Sequence, residues 1–449
     1  MRIQLSDHFS YGKLLRFTLS TILMLICTSM YSIVDGFFVS NYVGKTAFAA
    51  VNLIYPVSMG VTAIGFMLGT GGSAIVSKTL GQGDRQLANR YFSLIIYIAI
   101  GAGAVLSGLC FAFTPQIAAL LGVQGALMQQ CVVYGRILFL AQGAFMLQTM
   151  FQTFFVAAEK PGLSLKINLL AGATNMVFDY LFVAVLPWGL AGAAAATAMS
   201  QVVGGVVPLI YFARKNDSLL RLTLHTKFYG RVLLKTCTNG SSEMVTNLSA
   251  SVVNILYNFQ LMRLAGENGV AAYGVIMYVN FIFMAVFLGY SIGSAPVVSY
   301  HYGAGNHTEL KSLFRKSLVL LGAGGLVLTV LAEAFSAPLV AIFASYDAEL
   351  YAMTVRGFRL YSLAFLIMGV NVWGSAFFTA LNNGAISAVI SFLRTFVFQV
   401  AVVLALPALI GLDGIWLAIV AAEALALLVT AAFLAAKREY LQNFSARMA

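Results

Sequence analysis

Two aspartates set the chemical question in this 449-residue chain. Asp35 sits near the end of the apolar run LLRFTLSTILMLICTSMYSIVDGFFV, and Asp179 lies inside KINLLAGATNMVFDYLFVAVL. A polar residue stands one helical turn before each: Tyr31 before Asp35, and Asn175 before Asp179. That spacing puts both members of each pair on one helix face. An ionised aspartate at mid-bilayer depth costs roughly 2.5–3.5 kcal/mol even on the lenient insertion scale, so such groups face protein or water and mark a functional site. Two carboxylates held close together repel, and a shared proton or cation relieves the repulsion. Oxygen ligands with no His or Cys among them suit a hard ion such as Na+. The structural alternative is a polar network that locks helices together at ~0.6–2 kcal/mol per bond. Two carboxylates are a costly choice for that purpose.

The elements that position these residues are membrane helices. Hydrophobic residues make up 60% of the chain, charged residues only 9%, and the mean hydropathy is +0.90. A soluble core cannot use that much apolar surface. Runs long enough to span a bilayer fall near 14–39, 47–74, 91–113, 131–156, 163–186, 190–213, 236–262, 270–297, 317–343, 351–380, 385–410 and 413–436, about twelve helices. The polar start MRIQLSDHFSYGK and the length of the first run predict no cleavable signal peptide; the first helix is its own insertion signal. The fold class is thus all-α and polytopic, with short loops.

Lys and Arg predict the orientation. Arg2, Lys13 and Arg16 precede the first helix, Lys78, Arg85 and Arg90 follow the second, and Arg214, Lys215, Arg221, Lys227 and Arg231 fill the central loop. Lys311, Arg315 and Lys316 follow the eighth helix, and Lys437 and Arg438 the twelfth, whereas the opposite loops hold few cations, such as Lys45 and Arg263. The positive-inside rule then puts both termini in the cytoplasm. The net charge of +11 is a topology signal spread over short loops, with membrane lipid as the partner and no nucleic acid. Cys27, Cys110, Cys131 and Cys237 show no paired spacing, so no disulfide framework or metal site is expected. His8, His225, His301 and His307 all fall in cytoplasmic segments, which leaves no histidine relay within the membrane.

One nearly constant offset, carrying position 80 onto position 302, brings the two halves into register. LGQGDRQL at 80–87 matches YGAGNHTE at 302–309; Phe154, Phe155 and Ala157 match Phe377, Phe378 and Ala380; Gly189-Leu190-x-Gly192 matches Gly411-Leu412-x-Gly414; Arg136 matches Arg359. The chain therefore reads as a duplicated six-helix unit, with 1–213 and 236–449 as lobes and 214–235 as the linker. An even helix count gives both copies one orientation and a pseudo-twofold axis along the membrane normal, the arrangement in which one half rocks against the other. Asp35 aligns with Asn258 or Tyr257 and Asp179 with Ala401 or Val402, so the acidic pair belongs to the first half alone.

With its duplicated unit, the Gly-x-Gly turns after helices 2 and 8, and Val34-Asp35-Gly36-x-Phe38-Val39 closing helix 1, the chain resembles the MATE (multidrug and toxic compound extrusion) family over nearly its whole length. The resemblance implies a MATE fold and a cation or proton site in the N-lobe, at the positions of Asp35, Asn175, Asp179 and Thr197, with Na+ possible there. Tyr31 matches a tyrosine that some relatives carry one turn before the helix 1 acid. Two departures stand out. Phe17-Thr18-Leu19-Ser20 lacks the proline that bends helix 1 in several relatives, and helix 10 offers Asn371 where some relatives have an acid.

Four other residues are candidates in the second half. Glu243, at the start of helix 7, and Asn371 are candidates for a substrate cavity; the plainer reading of Glu243 is an interfacial cap. Arg394 in helix 11 and Glu423 in helix 12 lie deep by sequence and are expected to pair as structural charges. Arg136 and Arg359 read as snorkelling rim residues, and the Gly-x-Gly turns as helix ends instead of phosphate loops. The expected function is a cation-driven multidrug antiporter in a bacterial cytoplasmic membrane. It is a monomer without cofactor or enzymatic activity that expels amphipathic organic cations as H+ or Na+ enters. A lipid-linked precursor flippase of the same superfamily calls for a basic cavity, and a non-transporting receptor or scaffold calls for no buried acids.

Overall fold

The computed structural model describes residues 3–344 and 347–448; the side chains at 33, 36–37, 40–41, 45, 48, 343 and 437–448 lie outside that description. Of the cations used above to orient the chain, Arg2, Lys45, Lys437 and Arg438 therefore carry no side-chain account. Among the described residues the chain is helical throughout its ordered elements, with no strand. In chain order the helices are α1 (Tyr11–Phe38), α2 (Lys45–Gly81), α3 (Arg85–Ala112), α4 (Thr114–Leu120), α5 (Ala126–Leu140), α6 (Gln142–Ala157), α7 (Pro161–Asp179) and α8 (Gly189–Ala213), followed by α9 (Gly230–Gly303), α10 (His307–Ala344), α11 (Ala348–Ser362), α12 (Phe365–Ala380), α13 (Gly384–Phe392), α14 (Phe398–Ile410) and α15 (Leu412–Met448).

Nine of the helical stretches are long and apolar enough to cross a membrane, and two bent pairs, α5–α6 at 53° and α11–α12 at 50°, pass the same test together. With 74 residues, α9 would extend far beyond a bilayer at about 1.5 Å per residue. It is interrupted at Gly266, where φ is 61° and ψ −149°, and so supplies two spans. Counted this way, the described residues hold the twelve spans expected from the apolar runs.

The duplication is written into the backbone. Gly44, Gly83, Glu159 and Gly189 have positive φ, and so do Gly266, Gly305, Asn382 and Gly411, their respective counterparts in the repeat. The bends between α5 and α6 and between α11 and α12 fall at corresponding places. Buried aromatic side chains form the inner packing of each half, Phe92, Phe154 and Phe212 in the first and Trp373, Phe377 and Phe378 in the second.

The halves pack tightly at the end of the bundle that carries the linker. There Gly71 of α2 lies against Thr236 and Gly240 of α9, and Gly240 lies against Met67. Gly289 and Gly293 of α9 lie against Ile22 and Thr18 of α1. The segment before α1 crosses the same end. The Leu5 N–H donates to Glu159 Oε1 at 2.7 Å, the Phe9 N–H donates to Glu309 Oε1 at 2.9 Å, and Lys316 Nζ donates to the Phe9 carbonyl. Leu5 and Phe9 are fully buried. This short strap ties the α6–α7 turn of the first half to α10 of the second.

Candidate ion-binding site

The first half presents its two aspartates where helices lose regularity. α1 gives way at Phe38 to a π-helical segment, Val39–Val43, and α7 ends at Asp179 itself, followed by π-helical Tyr180–Val185. A π turn takes an extra residue and redirects the side chains around it, and such turns are frequent at functional sites. The two irregular segments lie next to one another in the bundle. This brings Asp35 of α1 beside Asp179 and Asn175 of α7 and Thr197 of α8.

Four of the five residues expected in this site therefore converge. Asp179 is fully buried and Asn175 nearly so, and Asn175 Nδ2 donates to Thr197 Oγ1 at 3.5 Å. Asp35 Oδ1 and both Asp179 carboxylate oxygens are buried and receive no N–H or O–H, while the two carboxylates lie within hydrogen-bond reach of one another. Buried carboxylates left this way strongly favour a bound proton or cation. Tyr31 lays its ring on Gly172 of α7, one turn before Asn175. It acts there as a packing contact between α1 and α7.

Two tyrosines escape the sequence reading. Tyr55 of α2 and Tyr134 of α5 lie within electrostatic reach of Asp35, and Tyr134 also of Asp179. Tyr134 is 1% exposed, and its hydroxyl has no hydrogen-bond partner. A hydroxyl can donate to an anion or accept from a hydrated ion, so Tyr134 is a further oxygen near the cluster of two carboxylates, one amide and the Thr197 hydroxyl. Among the described residues no three His, Cys, Asp or Glu side chains gather in one place.

The second half holds a different arrangement at its own irregular point. Arg394 sits in the π-helical segment Leu393–Val397 between α13 and α14. Its Nε donates to both oxygens of Glu423 of α15 at 2.9 and 3.0 Å, and its Nη2 lies 2.8 Å from Glu423 Oε1. Asn371 Nδ2 of α12 donates to Glu423 Oε2 at 2.7 Å and to the Glu423 carbonyl at 2.9 Å. Glu423 is thus held by an arginine and an amide at once. Glu243, the other cavity candidate, lies within electrostatic range of Arg394. At the far ends of the bundle Arg136 stands over the Phe111 ring at 5.6 Å, and Arg359 Nε donates to Ser336 Oγ at 2.9 Å.

Sequence comparison finds the same duplication. A profile of the MatE family matches residues 20–181 and again 243–404, one match in each half. The multidrug export protein MepA of Staphylococcus haemolyticus is 23% identical over 92% of this chain and 90% of its own, and MepA of Staphylococcus saprophyticus is 22% identical over 93% and 90%. Among solved structures, a MATE in complex with MaL6 superposes with a TM-score of 0.92 at 21% identity, covering 97% of this chain and 98% of the other. A MOP superfamily transporter from Pyrococcus furiosus, described as having reversed binding-pocket polarity, superposes at 0.90 with 21% identity and covers 97% of each chain. With the family profile covering both halves and the fold agreeing from end to end, the chain belongs to the MatE family.

Proposed function

We propose that this protein is a secondary active multidrug efflux antiporter that expels amphipathic organic cations as H+ or Na+ enters. The observation that carries the reading is the pair of adjoining buried carboxylates, Asp35 and Asp179, inside membrane spans, with Asn175 and Thr197 beside Asp35 and three of their four oxygens receiving no N–H or O–H. Such a cluster lacks positive charge and gains most from an ion that supplies it. Release of that ion restores the uncompensated state, which couples occupancy to the packing of α1, α7 and α8. The duplicated halves supply the moving parts, since one can rock against the other around sites between the repeats. The tight contacts at the linker end support a state closed on that side, from which the cluster is reached through the opposite face.

The names of the staphylococcal relatives support drug-like substrates. The distribution of Lys and Arg supports both termini in the cytoplasm, the staphylococcal relatives support a bacterial cytoplasmic membrane, and the chain acts as a monomer without enzymatic chemistry. The flippase reading needs uncompensated basic groups for a pyrophosphate. Here the buried arginine of the second half is already neutralised by Glu423.

The test is transport of a fluorescent cationic dye in proteoliposomes under separately imposed proton and sodium gradients. One gradient should drive uptake against the dye concentration, and the other should not. Dye movement indifferent to both gradients would overturn the proposal.

A further inference from the structure

The irregular segment between the halves, from Arg214 to Tyr229, does not hang free. The Arg221 N–H donates to Asn89 Oδ1 at 2.9 Å, the Thr223 N–H donates to Ser93 Oγ at 2.8 Å, and Tyr97 Oη donates to the Thr223 carbonyl at 3.1 Å. The chain then turns back. Thr226 Oγ1 donates to the Arg90 carbonyl at 2.8 Å, and Tyr229 meets Tyr91 edge-on, ring centroids 5.1 Å apart. The segment therefore dips along α3 and returns. Arg90 is the last charged residue of α3, and the whole stretch from Tyr91 to Ala112 is uncharged. The dip passes below that charge boundary, to the level where the apolar span begins.

Its tip is apolar and bare. Leu224 is 89% exposed and Phe228 73% exposed. Around them Arg90, Arg221, Lys227 and Arg231 are all exposed, and no acidic residue occurs between Asp217 and Glu243. The two acids nearest in sequence are engaged: Asp217 pairs with Lys160, and Asp84 accepts from the Leu87 N–H at 2.9 Å. Among the described residues no carboxylate pairs with any of the four cations. Exposed Leu and Phe at the edge of an apolar span, ringed by unpaired cations, match an acyl chain below and a phosphate above. Tyr97, which the segment contacts, lies about two turns into the uncharged stretch of α3, where lipid is the expected neighbour.

We propose that residues 221–231, with Arg90, form a binding site for an anionic phospholipid. Leu224 and Phe228 enter its acyl layer, and Arg90, Arg221, Lys227 and Arg231 surround its phosphate. The site fastens the linker to the first half and to the bilayer, leaving the start of α9 as the place where the second half pivots. The inference requires only that the protein is embedded in a membrane, and it stands apart from what is transported.

The test is native mass spectrometry of the full-length chain released from detergent after incubation with phosphatidylglycerol or phosphatidylcholine of the same chain length. Inorganic phosphate is added as competitor in a parallel arm. Phosphatidylglycerol should remain bound where phosphatidylcholine does not. Each basic side chain at an anionic surface contributes about a fivefold preference, so the triple variant Arg90→Gln, Lys227→Gln, Arg231→Gln should bind on the order of a hundredfold more weakly. Leu224→Ser with Phe228→Ser should also lose adducts, whereas Arg136→Gln, at the other end of the bundle, should not. Elution profile and melting temperature check the fold; if the triple variant fails, Lys227→Gln against Lys227→Arg gives the same comparison. Equal retention of the two lipids, or unchanged adducts in the triple variant, would overturn the site. Displacement by phosphate, with the Leu224 and Phe228 changes silent, would make it a phosphate site and overturn the lipid assignment.

Discussion

Gly81 and Gly303 lie against each other's helices where the two halves meet. A methyl group on Gly81 would overlap the Tyr300 carbonyl oxygen, and one on Gly303 would overlap that of Lys78. Lys78 and Tyr300 are counterparts in the repeat, as the two glycines are. The contact is therefore made of two copies of one structural element, placed face to face near the pseudo-twofold axis. α2 and α9 approach so closely here that the backbones touch without side chains between them.

This contact should hold the linker end shut. Gly81→Ala or Gly303→Ala is expected to push the two helices apart. Spin labels at the exposed, equivalent positions Gln86 and Thr308, in a chain with Cys27, Cys110, Cys131 and Cys237 replaced by Ser, report the separation by electron–electron resonance. A longer or newly bimodal distance is expected. Gly322→Ala, where an added methyl meets nothing within 4 Å, should leave the distribution alone. An unchanged distance in both axial variants would mean the contact does not set the closed state.

Asp35→Asn and Asp179→Asn should each abolish gradient-driven efflux while leaving expression and melting temperature close to those of the parent. Removing an uncompensated buried charge relieves the fold even as it removes the ion's main attraction. Efflux near the parent rate in both variants would remove this cluster from the coupling mechanism.

Tyr134→Phe tests the residue that the sequence did not expose. If its free hydroxyl serves the ion or the carboxylates, its loss removes a hydrogen bond to a charged group, worth about 1.5–3 kcal/mol. The ion concentration that half-saturates transport should rise by roughly ten- to a hundredfold, with maximal rate less affected. Unaltered ion dependence would make Tyr134 a packing residue.

Much of this architecture is legible before any coordinates, for a plain reason. In lipid every backbone group must be satisfied within its own helix, so apolar runs map onto spans with little ambiguity, and a buried aspartate stands out against them. What is hidden lacks that contrast. The bends at Ala141 and at Leu363–Ala364 contain no proline, and 131–156 and 351–380 read as single helices. The π turns after Phe38 and Asp179 have no composition of their own. Tyr55 and Tyr134 look like any interfacial tyrosines, because their importance depends on which helix faces meet. Tyr31 shows the converse. Its spacing to Asp35 is correct for one helix face, but its ring fills the notch left by Gly172 on a different helix. The linker, expected over 214–235, is irregular only to Tyr229, since α9 begins before its apolar run does.

The strap before α1 should stabilise the whole molecule. Glu309 is 5% exposed and receives the Phe9 N–H, with His8 Nδ1 2.6 Å away. Glu309→Ala strands that buried N–H, at a cost of about 1–3 kcal/mol. His8→Ala removes a largely exposed partner and should cost a few tenths of that. Scanning fluorimetry in detergent should show a clear drop in melting temperature for the first and almost none for the second. Equal small effects would mean the strap merely rests on the bundle.

Arg394 and Glu423 pose the sharpest energetic question, because their charges cancel inside the second half. Arg394→Met leaves Glu423 with only Asn371 as a neutral donor. Glu423→Gln leaves the guanidinium without an anion in direct contact. Breaking a buried pair in this way typically costs about 3–5 kcal/mol, so each single variant should melt well below the parent. The double variant leaves neither charge unpaired and should recover most of the loss, giving a large coupling energy in the cycle. Additive losses would show that each residue is stabilised by something else, with Glu243, within electrostatic range, a candidate for Arg394. Transport then decides the role. If the pair serves only to join α12, the Leu393–Val397 segment and α15, the double variant should pump the dye at nearly the parent rate. If stability returns and efflux does not, the charge on Glu423 takes part in the cycle, and the two halves differ in what they bind, the ion in the first and the substrate in the second.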